Sequence, residues 1–136
     1  TGIATIQPPL VGKPFQVLIP QVDRDGNEIA GIRLPIIQVP LATYSGWNLR
    51  DPRIGAPEEL YSMVGSFIPF SKTKDDRLKS GDPRCSIATR YTSYEDYLGR
   101  IKIEANRLVL EGFLMSSDVP HVVKQASELW DYLMSQ

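Results

Sequence analysis

The chain has 136 residues, of which 42% are hydrophobic and 23% charged, with 15 basic and 16 acidic side chains. This length and hydrophobic content support one folded unit with a packed core and exclude an intrinsically disordered protein. A net charge of -1 without a run of like charge gives no electrostatic basis for binding nucleic acid or an anionic membrane surface, and no apolar run reaches the roughly 18 residues of a membrane helix.

The N-terminal third (residues 1–41) is predicted to be extended. Six of the 11 prolines lie in the first 40 residues, between short β-branched runs, and this density of proline excludes a helix. We expect residues 15–19 and 32–39 to be extended segments joined by a turn at Asp25-Gly26, at the edge of a sheet where proline is tolerated.

The stretch QVDRDGNEIAGIRL admits two interpretations, a calcium loop or a tight turn. Asp23, Asp25 and Asn27 match the first three ligand positions of an EF-hand loop, but the sixth position is not glycine and the twelfth is Leu34. The dipeptide Asp25-Gly26 is a strong hairpin-turn signal, because glycine adopts positive φ without steric cost. The sequence therefore favours a turn, and no metal site is predicted.

The middle of the chain is predicted to be an ordered loop followed by two short helices. Residues 42–56 are rich in Gly, Ser, Asn, Asp and Arg. A helix is expected at residues 57–64, because Pro57 falls in its first turn and Gly65 ends it. A second, highly charged helix is expected at residues 72–79, before Gly81. We expect residues 57–136 to be mainly helical.

Two amphipathic helices are predicted in the C-terminal third. Residues 92–95 read as a capping box, in which Thr92 and Glu95 each satisfy a backbone donor. Apolar residues then recur at spacings of three and four to about residue 110, before Gly112. The same pattern returns after Asp118 and continues to the end. The short connection predicts an antiparallel pair, so the expected fold class is α+β, with extended segments followed by a helical pair.

No catalytic residue is predicted. A nucleophile elbow needs Gly-x-Ser-x-Gly, and none of Ser45, Ser66 and Ser80 has glycine at both flanking positions. The one histidine, His121, is expected to be solvated or half-buried in the first turn of a helix. One histidine and one cysteine, Cys85, cannot build a tetrahedral metal site or an intrachain disulfide. No cofactor is expected.

The segment LATYSGWNLRDPR is the candidate ligand-binding loop. Tyr44, Trp47, Asn48 and Arg50 gather aromatic, amide and guanidinium groups within a few residues, which is typical of a ligand cleft or an interface. The alternative is structural, with Trp47 filling the core and Arg50 pairing with Asp51 or a helix end.

Several linked segments together resemble one known family. They are LIPQVDRDGNEIAGIRLP, VPLATYSGWNLR, GSFIPFSKT, GDPRCSIATRY and GFLMSSD before an amphipathic helix, and in this order they resemble the C-terminal portion of bacterial α/β-hydrolase domain-containing proteins. The resemblance covers nearly the whole chain. It implies ester or related hydrolysis by a Ser-His-acid mechanism, with serine and histidine supplied by an upstream hydrolase core, so no catalytic residue carries over to this sequence.

We therefore expect the C-terminal segment of a larger hydrolase, which completes or covers a catalytic domain in the upstream chain or a partner chain and acts on a small-molecule ester. The alternative is a stand-alone, non-enzymatic binding module whose ligand meets the Trp47 loop. The isolated chain is expected to be inactive. Its sequence leaves the compartment open.

Overall fold

The computed structural model describes residues 6, 12–13, 16, 18–61 and 63–136. The helices and strands within these residues are α1 (Pro35–Gln38), β1 (Ala42–Ser45), β2 (Ser66–Pro69), α2 (Lys74–Ser80), α3 (Ile87–Arg90), α4 (Tyr94–Leu110) and α5 (Val119–Ser135). Two single 3-10 turns add to them, Pro52–Ile54 and Ser116–Asp118. This architecture confirms the α+β class and the C-terminal pair of long helices.

Helix α4 begins one residue later than its capping signal suggested. Ser93 is the N-cap, and its Oγ accepts from the Asp96 N–H at 3.2 Å. The Asp96 carboxylate in turn accepts from the Thr92 N–H at 3.0 Å. The prediction of Thr92 as the cap was wrong because two overlapping patterns, Thr-x-x-Glu and Ser-x-x-Asp, both satisfy the capping rule. The helix ends as predicted, with Gly112 at φ 80°.

The core lies where α4 and α5 pack together. Tyr97 is fully buried on α4, and its ring stacks on Trp130 of α5 with centroids 5.1 Å apart. Near the start of α4, the Tyr94 hydroxyl hydrogen-bonds Ser127 Oγ at 2.7 Å. Since the first turn of α4 thus meets the middle and the second half of α5, the two helices run antiparallel.

The two strands form an antiparallel sheet beside this core. Ala42 pairs with Pro69 and Ser45 with Ser66, and the ladder continues with a 3.0 Å hydrogen bond from the Phe70 N–H to the Leu41 carbonyl. Leu41 and Phe70 are both buried in the main hydrophobic cluster. The sheet therefore anchors residues 44–50 directly against the helical core.

Two local predictions were wrong. Residues 35–38 form α1 instead of an extended segment, because Pro35 occupies the first helical turn, where its missing N–H costs nothing. Residues 57–61, 63 and 64, the described part of the predicted helix, are not helical. Leu60 instead pairs with Leu49, and Ala56 and Met63 have φ values of 48° and 61°, which a right-handed helix cannot contain.

The remaining boundaries also differ from expectation. β1 lies in the stretch predicted as a loop, and β2 lies in the part predicted to be mainly helical. The predicted helix at residues 72–79 is confirmed as α2, capped by Thr73 and ended by Gly81 in the left-handed region. The predicted extended segment at residues 15–19 includes positions 15 and 17, which lie outside the described residues.

Candidate binding site

The turn at residues 23–27 is closed by its own first side chain. Asp23 Oδ1 accepts from the Asp25 N–H at 2.9 Å and from the Asn27 N–H at 3.0 Å, while Gly26 takes φ 81°. Burial acts to raise the pKa of Asp23, but hydrogen bonds from the Asn27 amide and from Arg33 outweigh it and hold the pKa below its usual value. The structure therefore shows the tight turn that Asp25-Gly26 predicts.

The other turn side chains have hydrogen-bond partners elsewhere in the fold. The Asp25 carboxylate accepts two hydrogen bonds from the Arg90 guanidinium. Asn27 is fully buried and reaches the backbone of β1. Within the described residues no group of three or more His, Cys, Asp and Glu side chains could hold a metal ion. The three oxygen-bearing side chains thus have structural partners of their own.

Asn27 links the turn to the strand that carries the candidate site. Its Nδ2 donates to the Ala42 carbonyl at 3.2 Å, and its Oδ1 accepts from the Tyr44 N–H at 2.7 Å. These partners are 15 and 17 residues away in the sequence, so the Asn27 side chain joins the turn to a distant strand.

Tyr44 is held on β1 with its hydroxyl out of contact with solvent. Its ring lies 5.3 Å from that of Phe67, its cross-strand neighbour. The hydroxyl has no hydrogen-bond partner among the described residues, and burial raises the pKa of Tyr44 to about 12. At neutral pH the phenol therefore remains protonated and can donate a hydrogen bond.

A cavity of about 320 Å³ opens beside Tyr44, and we call it the Tyr44 cavity. Its lining combines a phenol, a guanidinium and a carboxylate with aliphatic side chains: Glu28, Ala30, Ile32, Arg33, Leu34, Ile37, Tyr44, Ser45 and Gly46. This mixture and volume fit the lower range of small-molecule sites.

Trp47 is half-buried and is tied to the sheet through its backbone. Its carbonyl accepts from Ser45 Oγ at 2.5 Å and from Ser66 Oγ at 3.2 Å. The indole Nε1 is buried and has no hydrogen-bond partner in the described part of the chain. Two strand serines thus fix the loop backbone, while the indole N–H remains free to donate.

Arg50 extends from the loop with only a weak ionic contact. Its N–H donates to the Glu59 carbonyl at 3.0 Å, but its guanidinium lies 4.0 Å from the exposed Glu59 carboxylate. Arg50 Nε is buried without a partner among the residues described. The alternative pairing with Asp51 was wrong, because Asp51 binds Arg53 through two hydrogen bonds of 3.0 and 2.7 Å.

Asn48 shapes the loop. Its Oδ1 accepts from the Leu49 N–H at 2.8 Å, and its carbonyl accepts from the Tyr61 N–H at 2.8 Å. The hydrogen bonds that Asn48 makes with the described residues therefore all involve backbone N–H groups.

Three of the four predicted residues share one chemical property. Five buried side-chain polar atoms lack a partner among the described residues, and three of them belong to Tyr44, Trp47 and Arg50. All three groups are hydrogen-bond donors, and leaving such a group unsatisfied costs about 1–3 kcal/mol. The structure does not bring them into one cavity, since only Tyr44 lines the Tyr44 cavity. Each of the three groups instead lacks a hydrogen-bond acceptor among the described residues.

The serines and the histidine are placed without a catalytic pairing. Ser45 and Ser66 both donate to the Trp47 carbonyl, and Ser80 donates to the Arg77 carbonyl at 3.1 Å. His121 is exposed on α5, as predicted. No described serine hydroxyl has a histidine as its hydrogen-bond partner, so none is activated as a nucleophile in the way that a triad requires.

Sequence reasoning missed Arg33 as a functional candidate. It lines the Tyr44 cavity, its Nη2 donates to Asp23 Oδ2 at 2.6 Å, and its Nε is buried without a described partner. The available signal was a single arginine within the apolar run GIRLPII, where a charge must find specific partners.

Residues 3–124 match the family described as the alpha/beta hydrolase domain. The match covers most of the chain, so the protein belongs to this family. No curated protein and no solved structure shows a significant match. In the described residues, no helix combines the length and apolarity needed to cross a bilayer.

Proposed function

We propose that this chain is the C-terminal portion of an α/β-hydrolase, and that it supplies substrate-binding groups to a catalytic core contributed by upstream sequence or by a partner chain. The reaction is hydrolysis of an ester or a related bond in a small molecule. The nucleophilic serine and the general-base histidine belong to that core.

One observation carries the proposal. Among the described residues, Tyr44, Trp47 and Arg50 present buried donors without acceptors, whereas Ser45 and Ser66 are already committed to a backbone carbonyl. This distribution fits binding better than bond cleavage. A carbonyl or carboxylate oxygen of an ester substrate is the acceptor that such donors need.

The rival function is a stand-alone binding module. It is favoured by the Tyr44 cavity, which is built entirely from this chain and therefore does not require a hydrolase core. The hydrolase segment and the binding module differ in whether catalytic turnover is expected. A module binds its ligand without turnover in any context, whereas the proposed segment takes part in turnover once the core is present.

The test compares the 136-residue chain with the protein that includes the upstream reading frame, using p-nitrophenyl butyrate as substrate. We expect no saturable hydrolysis by the short chain, because it lacks an elbow serine and a paired base. We expect saturable hydrolysis by the longer protein. His121→Ala and Ser80→Ala in the longer protein serve as controls and should leave kcat unchanged.

Two results would contradict the proposal. The first is saturable activity of the short chain that disappears in Ser45→Ala, Ser66→Ala or His121→Ala. The second is ligand binding by the short chain together with an upstream reading frame that contains no hydrolase sequence, which would establish the binding module.

A further inference from the structure

A second cavity, of about 270 Å³, lies where the turn at residues 23–27 meets α1, α3 and α4. Four arginines and two aspartates contribute to its wall, and we call it the arginine cavity: Arg24, Arg33, Arg90, Arg100, Asp23 and Asp25. No assigned or proposed function above uses this cavity as a site.

The charges around the arginine cavity do not cancel. Three of its guanidinium groups each bind one carboxylate, in the pairs Arg33–Asp23, Arg90–Asp25 and Arg100–Asp96. Arg24 is exposed and forms no ion pair with any described residue. One positive charge therefore remains unneutralised.

The two aspartates do not make the cavity repulsive to an anion. Asp23 Oδ1 accepts from two backbone N–H groups, and Asp23 Oδ2 accepts from Arg33. Both oxygens of Asp25 accept from Arg90. Each carboxylate is thus matched by hydrogen-bond donors, and the excess around the cavity is cationic.

Arg33 supplies a donor that is already positioned. Its Nη2 is held by Asp23 Oδ2 at 2.6 Å and by the Ile37 carbonyl at 3.2 Å, which fixes the plane of the guanidinium. Its Nη1 makes no hydrogen bond with a described residue, whereas its Nε is shielded from solvent. A planar guanidinium with a free N–H in its fork suits an oxygen acceptor.

The remaining wall is mostly apolar. It contains Gln38 together with Ile37, Val39, Pro40 and the ring of Tyr91. The Tyr91 hydroxyl donates to the Pro40 carbonyl at 2.9 Å, which holds the ring against the cavity. A ligand here therefore meets a cationic side and an apolar side at once.

We propose that the arginine cavity binds a small monocarboxylate with a short apolar or aromatic tail. One unneutralised charge matches a monoanion, and a carboxylate oxygen accepts from Arg33 Nη1, which makes no hydrogen bond with a described residue. The volume equals about nine water molecules at roughly 30 Å³ each, which accommodates a benzoate-sized ion. All of these residues are in this chain, so the proposal does not depend on the hydrolase core.

The test is a titration of the ¹⁵N-labelled 136-residue chain with sodium benzoate at low ionic strength, followed by ¹H–¹⁵N spectra that include the arginine Nε–H signals. We expect saturable shifts of the Arg33 Nε–H signal with a dissociation constant on the order of 1 mM. Arg24→Gln removes the unneutralised charge without breaking an ion pair, and we expect it to weaken binding about threefold or more. Lys124→Gln removes an exposed cation of α5 that lies outside the cavity and pairs with Glu128 at 3.7 Å, and it should leave the constant unchanged.

Four outcomes would overturn the proposal: no saturable shift, shifts centred on the Arg50 Nε–H and Trp47 Nε1–H signals instead of Arg33, equal weakening by Arg24→Gln and Lys124→Gln, or inorganic phosphate binding as tightly as benzoate. The second would place the carboxylate at the Trp47 loop. Either of the last two would show that benzoate is held by nonspecific charge attraction.

Discussion

Asp25 and Arg90 form a bidentate ion pair across 65 residues of sequence. The pair joins the N-terminal turn to α3, and only 9% of the Asp25 side chain and 12% of the Arg90 side chain are exposed. Arg90 also lies 4.2 Å above the Phe70 ring and donates from Nε to the Cys85 carbonyl at 2.9 Å. Through these contacts one guanidinium holds together the turn, the sheet and the short helix before α4.

Breaking the Asp25–Arg90 pair from either side should strongly destabilise the protein. We expect Asp25→Asn and Arg90→Met each to lower the free energy of unfolding by about 3–5 kcal/mol, because each leaves a buried group without its partner. The double variant should lose less than the sum. Urea denaturation measures the free energy of unfolding of the two single variants and of the double variant. Arg53→Met, at a similar but exposed pair, should leave the free energy nearly unchanged. Strict additivity in the double variant would show that the two residues act independently.

The turn at residues 23–27 should bind calcium no better than about 1 mM, because Asp25 and Asn27 are committed to Arg90 and to β1, and because the bidentate twelfth ligand of an EF-hand is missing. Calorimetric titration of the chain with CaCl₂ tests this. Micromolar binding that Asp23→Asn abolishes would show that the turn opens to hold the ion.

The interface between α4 and α5 should carry much of the stability. Trp130 contacts the rings of Tyr91, Tyr94 and Tyr97, and Leu98 packs against the same cluster. Trp130→Ala and Leu98→Ala should each cost about 2–5 kcal/mol through lost burial and a residual cavity. His121→Ala, at an exposed position of α5, should cost under about 0.5 kcal/mol. Equal losses at all three positions in chemical denaturation would mean that the buried helix faces are wrongly assigned.

Stability should fall as the pH drops below about 4. Hydrogen bonds from the Arg84 side chain hold the pKa of Asp82 below the ordinary value of 3.8, and the bonds at Asp23 act in the same direction despite burial. A carboxyl group with a lowered folded-state pKa stabilises the protein fully above its unfolded pKa and loses that contribution as the pH falls through the folded pKa. Unfolding midpoints between about pH 5 and 2 should fall less steeply in Asp82→Asn than in the unmodified protein. Parallel curves for the two proteins would rule out this role for Asp82.

Arg50 should matter for function more than for stability. Its contact with Glu59 is 4.0 Å long and Glu59 is mostly exposed, so losing it should change stability little. In the longer protein, Arg50→Ala should raise KM or lower turnover for p-nitrophenyl butyrate while leaving the denaturation midpoint nearly unchanged. Arg53→Ala is the matched control, since Arg53 lies three positions away and, among the described residues, forms an ion pair only with Asp51. A large loss of stability with unaltered kinetics per folded molecule would make Arg50 a structural residue.

Local signals predicted local structure well in this chain. Helices α4 and α5 follow from apolar spacing, and the turn follows from Asp25-Gly26, since all of this information lies within a few residues. The helix expected at residues 57–64 failed because the Leu49–Leu60 bridge, a tertiary contact, outweighs the signal of Pro57. Local sequence patterns are limited in the same way at the candidate binding site. The composition of the loop singles out Tyr44, Trp47, Asn48 and Arg50 as candidates, but the contacts of Arg33 and Arg90 are not encoded in any local pattern.

The Asn27 side chain makes the two-stranded sheet unequal at its two edges. It occupies the outward carbonyl of Ala42 and the outward N–H of Tyr44, in the way that a neighbouring strand would. On the other side, the alternation of the ladder turns the Phe67 N–H and carbonyl outward, and neither has a partner in the described chain. Pro69 has no N–H to offer, so pairing there ends at Phe67. Among the described residues, the edge at β2 therefore keeps one unused donor and one unused acceptor, both on Phe67, whereas Asn27 already binds the corresponding groups of β1.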